Sequence, residues 1–195
     1  MSMFNVPNRT DEIKIKKDIN DFMRIIQEET KPDKCIMCGK AQTSFCNSHS
    51  VPKMVIKTIA EDGKLYHANK LIEIPVVDSE KGVGNSGTFH YICRQCDSFL
   101  FQDYENIEAL QGAPTDKMLA EIALKDILLM LSKRNQEKLI YQKGKKKGIL
   151  QNVELLEEIQ QLDIKDYLEE LSLYRDILDT NSCNIFKIIM WEKVP

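Results

Sequence analysis

Four of the six cysteines fall in two Cys-x-x-Cys pairs, Cys35 with Cys38 and Cys93 with Cys96. A two-residue spacing puts both sulfurs on one side of a short loop. Two such loops can share one tetrahedral ion, so the pairs point to a closed, structural zinc site. Gly39 follows the first pair and suits a tight knuckle whose amides face sulfur. The second pair follows Phe89-His90-Tyr91-Ile92 and opens a helix, whose N-terminal dipole favours thiolate over thiol. A knuckle followed by a strand-to-helix pair is the treble-clef arrangement. The competing reading is two redox or unrelated pairs, which the surroundings of neither pair support. No such site exists in the unfolded chain, so metal binding is expected to be coupled to folding. Cys46 and Cys183 stand alone.

Between the pairs lies Ser48-His49-Ser50-Val51-Pro52-Lys53. The order Cys-x-x-Cys-Gly, His-x-x-Pro, Cys-x-x-Cys-Asp resembles the zinc-containing branch of the HNH endonucleases, also called His-Me finger nucleases. It is closer still to a group of uncharacterised bacterial proteins with Ser-His-x-x-Pro-Lys and Cys-x-x-Cys-Asp/Glu followed by Phe and Tyr-Glu. Here those residues are Asp97, Phe99, Phe101 and Tyr104-Glu105. The resemblance covers residues 35–105. It implies a ββα-metal fold with His49 at the end of the first strand as general base. It also implies a divalent ion, Mg or Mn, at the leaving oxygen. Asp97 would orient His49. Separately from the resemblance, the spacing of Glu105 places it on roughly the same helix face as Asp97, where the two carboxylates would together hold the ion. The implied activity is hydrolysis of phosphodiester bonds, DNA favoured, in a bacterial defence or mobile-element effector. Two departures stand out: Ser48 replaces an acidic metal ligand, and Phe101 stands near the place of a further polar helix residue. His49 also has two other readings, a structural role or zinc ligation with Cys46. His67 and His90 read as strand-surface residues.

Several elements must position these groups. Ile15, Ile19, Phe22 and Ile26 recur at helical spacing and predict a helix over residues 11–29, ended by Lys31-Pro32. Residues 65–68, 71–77 and 88–92 have strand character, and residues 79–87 read as a Gly/Ser-rich loop. Phe99, Leu100, Tyr104 and Ile107 predict a helix continuing from Cys96. Thr115 is a candidate N-cap for a long helix with Leu119, Ile122, Ala123, Ile127, Met130 and Leu131 on its apolar face. A basic loop over residues 143–148 then breaks the helices. Two acidic helices are predicted near 153–162 and 163–178, with Asp163 as a cap, and a terminal strand over 184–191. The fold class expected is α+β: an N-terminal helix (1–32), a zinc-bound HNH-like domain (33–112), and a helical region with a terminal strand (113–195).

The formal charge of -3 selects no partner by itself. No apolar run nears the ~20 residues that span a bilayer, and residues 1–10 carry no secretory pattern, so a cytoplasmic chain without membrane attachment is expected. Lys53 and Lys57, just after His-x-x-Pro, are placed to meet a nucleic-acid backbone. The cluster from Lys143 to Lys147, with Lys133, Arg134 and Lys138, is either a phosphate-binding patch or a solvated turn. The acidic last helices should face away from nucleic acid. Their apolar residues Leu155, Leu156, Ile159, Leu162, Tyr167, Leu168 and Leu171 offer a face for this chain, a protein partner or self-association. Two functions remain: a metal-dependent endonuclease, or a non-catalytic structural-zinc module binding protein or nucleic acid.

Overall fold

The computed structural model of the chain describes residues 9–66, 80–148, 150–180 and 185–189. Helices dominate, with two small two-stranded antiparallel sheets. The elements are α1 (Arg9–Glu29), β1 (Ser48–His49), α2 (Lys53–Ile59), β2 (Lys64–Tyr66), β3 (Glu80–Gly82), β4 (Thr88–Phe89), α3 (Arg94–Leu100), α4 (Ile107–Leu110), α5 (Asp116–Lys146) and α6 (Glu154–Thr180). A 3-10 turn, Val83–Asn85, follows β3.

The helix α1 ends where expected. The Ile26 carbonyl accepts both the Thr30 amide at 3.1 Å and the Thr30 hydroxyl at 2.8 Å, closing the last turn ahead of Pro32. Thr115 caps α5, its hydroxyl accepting from the Met118 amide at 3.1 Å. Part of the expected loop over 79–87 is a strand instead: β3 pairs with β2 in the register Leu65 to Lys81. The expected strand over 71–77 and the strand-surface reading of His67 fall outside the described residues.

The basic segment breaks the helices only at its end, where Lys147 caps α5 and Gly148 turns the chain away. The helix α5 runs through Lys143-Gly144-Lys145 to Lys146. The two acidic helices are one, α6, with Asp163 inside it rather than capping it. The Asp163 carboxylate meets the Arg134 guanidinium of α5 at 2.9 Å, and the Gln160 amide donates to the Arg134 carbonyl at 2.7 Å. These contacts join α6 to α5 side by side. Residues 185–189 form no strand; Phe186 stacks on Tyr174 of α6 with ring centroids 5.9 Å apart.

One apolar core runs from the cysteine knuckle into the long helices. It contains Cys35, Met37, Phe89, Ile92, Cys93 and Phe101 together with Leu124, Leu128 and Leu131 of α5 and Leu171 of α6. Each such large apolar side chain contributes about 1.5–3 kcal/mol by leaving water, so α5 is the wall against which the cysteine-bearing loops are stabilised. No helix among the described residues is long and apolar enough to cross a membrane.

Candidate metal centre and the polar site beside it

The chain from Lys34 to Ala41 forms the first knuckle. The Gly39 amide donates to the Cys35 carbonyl at 2.8 Å, and Gly39 takes a φ of 69°, a left-handed turn that glycine makes without steric cost. The second pair is held by the start of α3. Cys93 caps that helix, its sulfur accepting from the Cys96 amide at 3.4 Å. The Cys93 amide in turn donates to the Cys35 sulfur at 3.3 Å. Backbone bonds from Ile36 to Tyr91 and from Cys46 to Ile92 fix the two halves against each other.

The sulfurs of Cys35, Cys38, Cys93 and Cys96 all lie within 4.8 Å of one another. Cys35 and Cys96 are 3.7 Å apart, and Cys38 and Cys93 are 3.9 Å apart. A tetrahedron with metal–sulfur bonds of about 2.3 Å has edges of about 3.8 Å. The cluster therefore has the donor set and the spacing to hold a structural metal such as zinc. The thiols differ before any ion binds. Burial raises Cys35, but amides from Cys38, Cys93 and Met37 outweigh it and bring the thiol down to about 7. Burial and the neighbouring sulfurs hold Cys96 well above its ordinary value. Four crowded thiolates need a cation to coexist.

Cys46 stands outside the cluster. Its thiol donates to the Ile92 carbonyl at 3.2 Å, and burial and then the Asp97 carboxylate push it up to about 12. A protonated thiol is a poor metal ligand. His90 lies just past β4 and is half-buried, with burial and Lys31 lowering its pKa.

Beside the cysteines the structure gathers residues from three distant segments. The strands β1 and β4 pair antiparallel with Ser48 opposite Phe89 and His49 opposite Thr88. This buries Ser48, 1% exposed, and aims its hydroxyl at Asp97 on α3. The Ser48 hydroxyl donates to Asp97 Oδ1 at 2.5 Å. Ser48 thus orients Asp97, and an acidic residue at position 48 would press two carboxylates together. The contact on the His49 ring comes from the main chain: Nε2 meets the Val83 carbonyl at 3.1 Å. A carbonyl only accepts, so Nε2 carries the proton and Nδ1 of the neutral ring holds the free lone pair.

Sequence reasoning missed the residue at the centre of this group, Lys125 of α5. Its side chain is 0% exposed, yet it carries an ammonium. Nζ donates to the His49 carbonyl at 3.1 Å, pairs with the Glu105 carboxylate, lies 3.9 Å from Asp97 Oδ1 and sits 4.5 Å from the centroid of the Phe101 ring. The site thus unites Ser48, His49, Asp97 and Glu105, but around a lysine. A magnesium ion demands about six oxygens at ~2.1 Å in octahedral array. Here the two nearest carboxylates already share an ammonium, and Ser48 offers a neutral hydroxyl. The residues present do not fit a divalent ion between Asp97 and Glu105.

Lys53 and Lys57 lie on α2, one turn apart, both exposed. Neither is held in an ion pair among the described residues. The other basic cluster is different. Lys143 pairs with Glu29, Lys145 with Glu154 and Glu157, Arg134 with Glu137 and Asp163, and Lys147 lies over the Phe22 ring. Those charges serve the helix packing. Comparison with protein-family models, curated proteins and solved structures finds no match to this chain.

Proposed function

We propose that the chain is a structural-zinc module that binds nucleic acid through the face formed by α2 beside His49. The order knuckle, β1, β4 and α3, with Cys93 as the helix cap, supports a treble-clef layout with zinc as its metal. The observation that carries the function is the pair Lys53 and Lys57. Both are exposed, unpaired among the described residues, and fixed on a helix that begins directly after His49-Ser50-Val51-Pro52. Lysines one helical turn apart meet successive phosphates as point charges. Lys125 strengthens the reading, because its charge offsets part of the Asp97 and Glu105 charge that would repel a phosphate backbone.

The test is fluorescence anisotropy with single- and double-stranded DNA and RNA at several salt concentrations. Wild type is expected to bind with a salt-dependent affinity. The variant Lys53→Glu/Lys57→Glu should weaken binding and lower the salt slope by about 1 per lysine. Binding that is absent in wild type, or unchanged in the variant, would refute the proposal.

A second reading has its own support. The His49–Val83 contact leaves Nδ1 free to take a proton from water, the role the endonuclease resemblance gives this residue. On that reading wild type nicks plasmid or RNA, and His49→Ala abolishes cleavage, typically by 100- to 10,000-fold or about that, while zinc content and nucleic-acid affinity hold. A wild type that binds but cuts under no divalent-ion condition leaves the binding module alone standing.

A further inference from the structure

We infer that Lys125 is the permanent cation of the site, standing where a divalent metal would otherwise bind and holding the His49 loop, Asp97 and Glu105 together. This goes beyond nucleic-acid recognition and stands or falls independently of it. The Lys125 side chain is fully buried, so its ammonium must be satisfied from within. Its N–H groups donate to the His49 carbonyl at the end of β1 and to Glu105 in the turn before α4, and Asp97 on α3 faces it as an ion pair at 3.9 Å. Phe101 closes its remaining side with a ring face, which attracts a cation. A hydroxyl, 1% exposed, tethers Asp97 from behind. Glu105 remains 39% exposed, so the pocket opens to solvent on that side. A solvated ion can approach from there, and the ammonium rather than closure is what excludes it. One positive charge already occupies the gap between the two carboxylates, and a second would meet it at short range. Lys125 is therefore a positioning residue.

The inference is tested on the full, zinc-loaded chain with Mn2+ as the probe, its binding read by electron paramagnetic resonance. Wild type should show no stoichiometric Mn2+ site at millimolar metal. Lys125→Met keeps the length and the apolar stem but removes the charge, and should tighten Mn2+ binding by at least about tenfold. Adding Glu105→Gln to that variant should remove the gain. A wild type that takes up one Mn2+, lost on Glu105→Gln, would overturn the inference, since those carboxylates would then be metal ligands. So would a folded, zinc-loaded Lys125→Met that gains no Mn2+ binding. Should Lys125→Met fail to fold, Glu105→Gln in the wild-type background decides. It should lower the melting temperature with no change in Mn2+ uptake, because it strips a partner from a buried ammonium. An unchanged melting temperature would overturn the inference.

Discussion

Glu121 and Lys125 lie one turn apart on α5, and both are completely buried. In a sequence, Glu and Lys four residues apart read as a solvated surface pair. The buried stripe is in fact Met118, Glu121, Leu124, Lys125, Leu128 and Leu131. The face expected from Leu119, Ile122, Ala123, Ile127, Met130 and Leu131 is rotated from it, and only Ile127 and Leu131 of that set are buried. Each charged residue serves a loop that the linear pattern does not bring near α5. Lys125 serves the site; Glu121 Oε2 accepts the Tyr104 amide at 2.7 Å. Glu121 Oε1 has no hydrogen-bond partner, and Lys117 Nζ, 3.6 Å away, attracts it without bonding. Burial raises the Glu121 carboxyl above its ordinary value, although the Tyr104 amide lowers it. The folded chain then holds this proton more tightly than the unfolded chain. Its stabilising contribution is complete below the ordinary carboxylate range and is lost as pH rises through the raised value. Glu121→Gln cannot titrate. Its melting temperature relative to wild type should shift in the variant's favour as pH rises above the ordinary carboxylate range; a difference independent of pH would contradict the assignment. The cysteines were legible for the opposite reason, since their spacing is a local geometric demand.

At the scale of elements, the helices reported themselves through period and caps, and their ends misled where glycine had a packing role. Lys143-Gly144-Lys145 looked like a breaker. Gly144 is instead a point of close approach: a Cβ there would stand 2.5 Å from Leu150 Cδ1 and 2.7 Å from its Cγ. Leu150 returns against α5 through that gap. Gly144→Val should therefore destabilise by about 1–3 kcal/mol, read by urea denaturation, despite valine's better helix propensity. Thr115→Ala should cost about 1 kcal/mol through the lost cap on Met118. Residues 185–189 had the apolar content of a strand but lack a partner strand among the described residues; Ile189 is 94% exposed. The ring stack of Phe186 on Tyr174 holds this segment against α6. Phe186→Ala is expected to cost about 0.5–1.5 kcal/mol, far less than loss of a core strand.

Over the whole molecule, the long helices and the cysteine loops share one core, so the site is fixed from two directions. From below, α5 supplies Lys125 and an apolar wall. From the side, the four sulfurs tie residues 34–41 to the start of α3. The acidic helix α6 buries Leu171 and Ile177 while Leu155, Leu156, Ile159, Leu162 and Leu168 stay exposed, so its expected apolar face is only partly used within the chain. The strands are two or three residues long and contribute little pairing of their own. The geometry around His49 thus depends on the cysteine cluster and α5 more than on the sheets. Zinc binding in such sites releases about 10–16 kcal/mol, comparable to the whole stability of a domain this size. The most direct measurement is native mass spectrometry of purified wild type and Cys38→Ser, paired with circular dichroism before and after chelation. One zinc per wild-type chain is expected, none in Cys38→Ser, and loss of cooperative unfolding in both the variant and the chelated protein. A wild-type chain that stays folded and unfolds cooperatively without metal would contradict this expectation.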